Sequence, residues 1–327
     1  MIILSKEVVV TGGAGFIGSN LVRHLVSKGI KVKVIDNLSS GNINNIRDLI
    51  NKGLVNFFKI DLKHISPYDL KNLFQESEVI YHLAANPEVR VSVTNPQVHF
   101  YENVVATFNV LEACRLADVN VLVFTSSSTV YGDAKKLPTP ENYYPLIPIS
   151  VYGAAKLASE NFIITYSKLY GFKALILRLA NIVGPYQTHG VIVDFIRKLK
   201  QNPRILEILG DGTQRKSYLH VYDLLNAIDV ALSYILNSGN NFEIFNVGNN
   251  DWVTVKEIAD IVVSEMGLSN VKYVFKPGTK DGRGWVGDVK FMLLDIGKIT
   301  SIGWRPRYSS ATAIRLAVRA LLGKSYG

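Results

Sequence analysis

The segment TGGAGFIG at residues 11–18 follows a run of β-branched residues and precedes a helical pattern. Its glycines, Gly12, Gly15 and Gly18, have a G-x-x-G-x-x-G spacing, which permits a tight turn and the close approach of backbone to a diphosphate at a helix N-terminus. Asp36 ends a second predicted strand, where its carboxylate can accept hydrogen bonds from the adenine ribose hydroxyls. Strand, glycine turn, helix, strand and acid in this order predict a bound dinucleotide. The acid favours NAD over NADP because it would repel a 2′-phosphate; the alternative for Asp36-Asn37 is a turn that ends a strand.

The first half of the chain alternates short β-branched runs with longer helical patterns. Near-continuous apolar strands joined by helices are typical of a parallel sheet covered on both faces, so we predict an α/β, doubly wound (Rossmann) fold. The predicted strands are Glu7–Thr11, Lys31–Asp36, Val55–Lys59, Val79–Leu83, Val121–Ser126 and Lys173–Leu179. The clearest predicted helices are Gly15–Lys28, Val98–Ala117 and Tyr152–Tyr170.

After about residue 180 this alternation breaks at several glycine-rich turns, which indicates a smaller, mixed C-terminal lobe. Helix Val221–Leu236 and strand Phe242–Val247 are expected to return to the sheet. Thr254 and Glu257 form a capping-box pattern for a helix that reaches about Met266, and Ser310–Leu322 is a closing helix. We therefore predict a dinucleotide-binding domain of residues 1–180 plus about 218–248, and a second lobe of about 181–217 and 249–327.

Composition limits the functional classes. The 327 residues are 48% hydrophobic and 19% charged, enough for a large core, and the net charge of +9 is dispersed. Dispersed charge favours a phosphorylated small molecule over nucleic acid. No apolar run approaches the roughly 20 residues of a membrane span and the N-terminus has no signal-peptide pattern, so we predict no membrane association and a cytoplasmic location. The single cysteine, Cys114, fits an apolar core pattern, and six unpaired histidines predict no metal site.

Tyr152 and Lys156 lie one helical turn apart in the predicted helix. An ammonium on the same helix face favours a phenolate and is expected to lower a tyrosine pKa from its usual value of about 10, which would make the phenolate a usable proton acceptor. The alternative is an ordinary tyrosine beside a surface lysine.

The glycine turn, Ser127, Tyr152 and Lys156 occur in the order found in extended short-chain dehydrogenases/reductases, and the chain resembles the NAD-dependent sugar epimerases/dehydratases among them. The resemblance extends nearly end to end and includes residues 126–132 (SSSTVYG) and 178–185 (RLANIVGP). It implies that Ser127, Tyr152 and Lys156 are catalytic. It also implies a homodimer built from helices Val98–Ala117 and Tyr152–Tyr170; the alternative is that both helices only cover the sheet.

The resemblance implies NAD as the cofactor. In this interpretation Asp61-Leu62 contacts adenine and the segment after His82 lines the nicotinamide side. The cofactor-binding residues would be Gly12, Gly15, Phe16, Ile17, Gly18, Asp36, Asn37, Ser39, Ser40, Gly41, Asp61, Leu62, Leu83, Ala84, Ala85, Asn103, Ser126, Tyr152 and Lys156.

The implied substrate is a UDP-sugar, held by the second lobe. The family's usual Arg-Asp pair is Lys216-Ser217 here, with Arg215 just before it, so either cation could contact the diphosphate. The family's usual phosphate-contacting arginine aligns with Trp285 in this chain, and Arg283 lies two positions before it. The substrate-binding residues would be Ser127, Tyr152, Asn181, Val191, Arg215, Lys216 and Arg283.

The implied reaction is epimerisation at carbon 4 of the sugar through a transient 4-keto intermediate. Dehydratases and decarboxylases of this type carry acids directly after the catalytic hydroxyl, where this chain has Ser128 and Thr129, so epimerisation is favoured. Met292 occupies the place where a large tyrosine restricts the sugar in some family members. Methionine is flexible and of intermediate size, so this residue does not decide which sugar binds. UDP-glucose and UDP-galactose come first, then N-acetylated or uronic acid relatives. A dehydratase, a decarboxylase, a net reductase and a non-catalytic nucleotide- or RNA-binding relative are the alternatives.

Overall fold

A seven-stranded parallel sheet is the centre of the computed structural model, which describes residues 7–324. The described strands, in chain order, are β1 (Glu7–Thr11), β2 (Lys31–Asp36), β3 (Val55–Lys59), β4 (Val79–His82), β5 (Val121–Ser127), β6 (Lys173–Leu179), β7 (Asn181–Val183), β8 (Ile205–Leu209), β9 (Arg215–Lys216), β10 (Tyr218–His220), β11 (Phe242–Val247), β12 (Val253–Thr254), β13 (Lys272–Lys276) and β14 (Phe291–Met292).

The described α-helices connect these strands, and several of them cover the central sheet. They are α1 (Phe16–Ser27), α2 (Arg47–Asn51), α3 (Pro67–Phe74), α4 (Val91–Thr94), α5 (Gln97–His99), α6 (Ala106–Leu116), α7 (Val151–Tyr170), α8 (Val191–Gln201), α9 (Val221–Asn237), α10 (Val255–Glu265), α11 (Gly297–Ser301) and α12 (Ser310–Leu321).

The central sheet has the strand order β11-β6-β5-β4-β1-β2-β3. Alternate residues of each strand point to opposite faces, so Val8 and Val10 of β1 pack with α1 and α9, whereas Val9 packs with α3 and α6. Both faces are therefore covered, and the predicted doubly wound fold is confirmed. The return of strand Phe242–Val247 is also confirmed, since β11 pairs with β6 in parallel.

The predicted helix Val98–Ala117 is not one regular α-helix. A π-helical turn over Phe100–Val105 separates α5 from α6. The carbonyl of Asn103 in this turn accepts hydrogen bonds from the hydroxyls of Thr107 (2.6 Å) and Ser159 (3.1 Å). Side chains that insert into the backbone hydrogen-bond ladder disturb regular helix geometry, and the sequence does not show which hydroxyls will do so.

A second set of elements packs around its own buried cluster, formed mainly by α8, α10, α12 and strands β8 and β13. The predicted capping box is present at the start of α10: the Thr254 hydroxyl accepts from the Glu257 backbone N–H (3.1 Å), and the Glu257 carboxylate accepts from the Thr254 N–H (2.6 Å). β7 and β10 pair in parallel as a separate two-stranded sheet.

Cys114 lies fully buried on α6, as predicted, and burial raises the pKa of its thiol. Over residues 7–324 no helix combines the length and hydrophobicity that a bilayer span requires. The cytoplasmic location and the absence of a nucleic-acid partner stay predictions from the sequence.

Candidate functional site

The glycine turn lies between the end of β1 and the start of α1. Gly12 has a positive φ of 69°, and its N–H donates to the Ile35 carbonyl of β2 (2.8 Å). A Cβ on Gly12 would lie 2.7 Å from the Ala84 nitrogen, and one on Gly18 would overlap the Gly12 carbonyl oxygen. Only glycine fits at these two positions. Because no side chains project there, the backbone of the turn itself lines the cavity.

Asp36 is held beside this turn at the end of β2. One carboxylate oxygen accepts from the Ala14 N–H (3.0 Å) and the other from the Leu38 N–H (2.8 Å). Burial raises the pKa of Asp36, and the two backbone hydrogen bonds oppose that rise. A fixed carboxylate that still lines the cavity fits the ribose hydroxyls of a dinucleotide.

A single cavity of about 470 Å³ runs from the glycine turn to β14. It brings together most of the residues predicted to bind cofactor or substrate. Those that line it are Gly12, Gly15, Phe16, Ile17, Gly18, Asp36, Asn37, Ser39, Ser40, Asp61, Leu62, Leu83, Ala84, Ala85, Ser126, Ser127, Tyr152, Lys156, Asn181, Val191 and Lys216.

Four predicted residues do not line this cavity. Gly41 lies against Asp36, since a Cβ on it would approach the Asp36 carboxylate to 2.9 Å, but it is not part of the cavity lining. Asn103 is buried, and its side-chain oxygen accepts from the Asn86 N–H (2.7 Å), so it supports the loop after β4 from behind. The other two, Arg215 and Arg283, are described with the basic residues below.

Ser127, Tyr152 and Lys156 meet where β5 ends and α7 begins. Ser150 caps α7 by accepting from the Gly153 N–H (3.1 Å), which places Tyr152 in the first turn and Lys156 one turn later. Ser127 accepts from the Thr129 hydroxyl (2.9 Å), and it lies near enough to the Tyr152 phenol to act on its pKa. The Lys156 ammonium is buried and donates to the Thr125 carbonyl (2.8 Å).

The expected lowering of the tyrosine pKa is wrong. Burial raises the pKa of Tyr152 to about 12, and Ser127 only partly opposes this. Burial also lowers the pKa of Lys156 to about 7, with the charge of Glu160 acting against it. The spacing correctly indicates neighbouring groups, but burial disfavours the charged form of each one.

The basic residues of the second set of elements divide between two environments. Lys216 lines the cavity, and its ammonium lies 2.6 Å from a carboxylate oxygen of the buried Asp288. The neighbouring Arg215 points the other way and lies over the Trp252 ring, at 5.2 Å from its centre. Arg283 is bound by Asp133 (2.9 Å) and Asp281 (2.6 Å), outside the cavity lining.

Several cavity residues were not predicted. Glu88 and Arg90, which form an ion pair (3.1 Å), and His189 also line this cavity, together with Gln187 and Trp285. The Arg90 guanidinium lies 5.7 Å from the centre of the Trp285 ring. In the sequence, only the positions of these residues pointed to the cavity. Glu88 and Arg90 follow the predicted cofactor segment after β4, and Gln187 and His189 lie between Pro185 and Gly190. Within residues 7–324 no three histidine, cysteine or acidic side chains lie together as metal ligands would.

Comparison with known proteins agrees with this geometry. Residues 8–248 match the model of the NAD dependent epimerase/dehydratase family. A relative described as a putative UDP-glucose 4-epimerase, from Methanocaldococcus jannaschii, is 36% identical over 316 residues, which cover 95% of this chain and 97% of the relative.

Two similar solved structures cover this chain almost completely. A UDP-galactose 4-epimerase has a TM-score of 0.86 and 46% identity, with 97% of this chain and 99% of that chain covered. A UDP-glucuronic acid 4-epimerase from Bacillus cereus, in complex with UDP-glucuronic acid and NAD, has a TM-score of 0.85 and 28% identity, with the same coverage of both chains.

The glycine turn gives a test of the cofactor end of the cavity. In Gly18→Ala the added methyl overlaps the Gly12 carbonyl, so α1 must shift away from the turn. We expect calorimetric titration with NAD to show affinity reduced at least about tenfold, or roughly 1.4 kcal/mol.

The matched control is Gly239→Ala, where an added Cβ meets no atom within 4 Å. This variant should bind NAD like the unmodified protein. Equal NAD affinity in a folded Gly18→Ala protein would contradict the assignment of the turn.

Proposed function

Because the chain belongs to the NAD dependent epimerase/dehydratase family, we propose that it is a nucleotide-sugar 4-epimerase that interconverts UDP-glucose and UDP-galactose. One observation carries the proposal: Ser127, Tyr152 and the buried Lys156, whose ammonium lies 5.9 Å from the centre of the Tyr152 ring, line the same cavity as the glycine turn. A hydroxyl pair and an ammonium beside a dinucleotide site are suited to oxidising a carbinol and reducing the ketone again.

In this proposal Tyr152 accepts the proton of the sugar 4-hydroxyl and Ser127 donates a hydrogen bond to the same oxygen. NAD, when bound, supplies the hydride acceptor and later donor for carbon 4, and its positive nicotinamide ring favours the phenolate. Lys156 would bind the nicotinamide ribose, and its ammonium would stabilise the phenolate. Tyr152 returns the proton to the 4-keto sugar once its other face is presented, so the configuration inverts without net consumption of NAD.

The cofactor end of this proposal relies on the bare backbone of the glycine turn and on Asp36, which would bind the adenine ribose. Asp61 and Leu62 would lie along the adenine, and Leu83 to Ala85 along the nicotinamide side. Asn103 would act indirectly, through its hydrogen bond to Asn86.

For the diphosphate we propose Lys216 rather than Arg215 or Arg283. Lys216 lines the cavity, whereas both arginines are bound elsewhere by other side chains. Asp288 would hold the Lys216 ammonium in place, and a point charge so fixed can attract a diphosphate without the two-pronged contact of an arginine. Asn181 and Val191 would complete the substrate side.

The choice of epimerisation rests on the residues that follow Ser127, whereas the choice of a plain hexose rests on relatives described as UDP-glucose or UDP-galactose 4-epimerases. Ser128 and Thr129, which follow the catalytic hydroxyl, are not acids, so a second acid/base group for dehydration is missing at these positions. Met292 lines the cavity with 7% of its surface exposed, and a flexible side chain there leaves room for N-acetylated or uronic acid sugars as alternatives.

A panel of UDP-sugars distinguishes these possibilities. We expect the protein to convert UDP-glucose and UDP-galactose into each other, with products of unchanged mass and no solvent deuterium at carbon 4. A product that has lost water or carbon dioxide would replace the proposal with a dehydratase or decarboxylase. Turnover of only an N-acetylated or uronic acid substrate would correct the sugar, and no turnover of any UDP-sugar would overturn the activity.

Removal of the phenolic hydroxyl tests the role of the tyrosine. In Tyr152→Phe we expect kcat to fall about 10²- to 10⁴-fold, the usual contribution of a positioned proton acceptor, with KM little changed. The control is Tyr234→Phe, on the exposed side of α9. A Tyr152→Phe enzyme with undiminished kcat would show that another group accepts the proton.

We also propose a homodimer formed by α6 and α7. Aromatic side chains remain exposed on these helices although the sheet is already covered: Phe108 is 40% exposed and Phe162 41%, with ring centres 6.0 Å apart. Two copies of this face can pack as four helices and bury these rings.

Sedimentation tests the dimer. We expect Phe108→Lys to form monomers, because a charge at the centre of an apolar interface opposes its burial. The matched control Phe275→Lys changes an equally exposed ring on β13 and should sediment like the unmodified protein. An unmodified chain that is monomeric at micromolar concentration would exclude this interface.

The division of the chain into an NAD-binding domain (1–180 and about 218–248) and a nucleotide-sugar lobe (about 181–217 and 249–327) is part of the proposal. The separate buried cluster around α8, α10 and α12 supports it.

A further inference from the structure

A buried carboxylate outside the proposed trio lies one helical turn beyond Lys156. Glu160 of α7 is 1% exposed and forms an ion pair with Arg178 of β6, in which the closest nitrogen to oxygen distance is 2.7 Å. A second guanidinium nitrogen of Arg178 lies 3.1 and 3.2 Å from the two carboxylate oxygens. The Ser126 hydroxyl also hydrogen-bonds this carboxylate. All of these groups are buried, so the arrangement is a fixed part of the interior rather than a surface ion pair.

The same stretch of β5 holds the lysine. Lys156 donates to the carbonyl of Thr125, and the next residue, Ser126, binds Glu160. Because Lys156 and Glu160 are four residues apart, they share one face of α7. Two consecutive residues of the strand that ends in Ser127 therefore fix the ammonium and the carboxylate relative to each other.

We propose that Glu160 is a positioning residue of the site: its carboxylate, held by Arg178 and Ser126, is the negative charge that keeps the buried Lys156 ammonium protonated. The same bonds hold the end of β5 from which Ser127 projects. This inference depends on the proposed function in one respect: the proposed function explains why the positive charge of Lys156 is needed.

The groups around Lys156 show why a counter-charge is needed. Burial lowers the pKa of Lys156 to about 7, and the Glu160 charge raises it. His82 of β4 is neutral, since burial lowers its pKa to about 3, and the pKa of His99 on α5 is also lowered by burial. Tyr152 is an uncharged phenol at neutral pH because burial raises its pKa to about 12. None of these three offers the ammonium a negative charge.

Arg178 has a different part in the arrangement. Its guanidinium also donates to the Tyr131 hydroxyl (2.9 Å) and to the Glu141 carbonyl (3.1 Å), so its position is fixed independently of Glu160. A fixed guanidinium keeps the buried carboxylate ionised, and an ionised carboxylate is what the lysine requires.

The sign of the effect follows. Lys156 acts as a cation, and its cationic form is lost as the pH rises through its pKa. Without the Glu160 charge that pKa falls, so the cation is lost at a lower pH. Residues four apart on a helix have Cβ atoms about 5–6 Å apart, and an opposite charge within about 4–6 Å shifts a pKa by about one pH unit or more.

The direct test is an NMR titration of the protein with isotope-labelled lysine side chains, made with NAD bound and again after its removal. The Lys156 signal is the one that disappears in Lys156→Met. In Glu160→Gln we expect its midpoint to fall by about one pH unit or more. Because this variant leaves Arg178 without its anion, Glu160→Gln with Arg178→Gln is measured as well, and its midpoint should also fall.

The matched control is Glu265→Gln, which removes a largely buried carboxylate bound by Arg315 and Arg319 far from the site. Its Lys156 midpoint should not move. An unchanged midpoint in the folded Glu160 variants would overturn the proposal, whether or not the protein is an epimerase.

Activity gives a second readout if the epimerase proposal holds. In the Glu160 variants the fall of kcat at alkaline pH should begin about one unit lower, and lowering the pH should restore part of the activity. A uniform loss at every pH would mean that Glu160 has only a structural role, and would also overturn the proposal.

Discussion

The common edge at which parallel strands end is the constraint on which the whole site depends. In the register of the sheet Thr11 of β1 pairs with His82 of β4, and His82 pairs with Phe124 of β5. The His82 ring fixes this register, because one nitrogen lies 2.8 Å from the Thr11 hydroxyl and the other 2.9 Å from that of Thr107 on α6. A shift of one residue would turn these side chains to the opposite face. The glycine turn, the segment after β4 and Ser127 therefore emerge side by side for geometric reasons.

Burial then determines the acid–base properties of the side chains that meet at this edge of the sheet. A phenol and an ammonium in this cavity are each shifted toward the uncharged form, Tyr152 to a pKa of about 12 and Lys156 to about 7. Burial causes both pKa shifts. The shifts become smaller when the phenolate and the ammonium are present together, because the two opposite charges stabilise each other. Phenolate with ammonium and phenol with amine differ only in the position of one proton. A site of this kind can therefore transfer a proton with little change in its total charge.

Much of the fold was predictable from the sequence because its signals are local. The strand bounds follow from β-branched runs between turn residues, and four of the six strands predicted in the first half agree residue for residue with β1, β2, β3 and β6. The glycine turn was predictable because sterics admit no other residue there. The π-helical turn was not, because it depends on hydroxyls that reach the Asn103 carbonyl from Thr107 and from a distant part of the chain, Ser159. The direction of the tyrosine pKa was also missed, since a spacing of four residues gives proximity but not burial.

The substrate end was harder to predict for a related reason. Arg215 and Lys216 are neighbours on the two-residue strand β9, so their side chains point to opposite faces, and only the pairing of β9 with β12 and β14 decides which one faces the cavity. A dinucleotide turn is limited by contact distances that a single methyl group violates. A diphosphate requires only positive charge at a suitable place, and a lysine held by Asp288 can supply it in the position where the family uses an arginine. Departures from the family pattern are therefore tolerated where recognition is electrostatic, and the resemblance is a weaker guide to the substrate than to the cofactor.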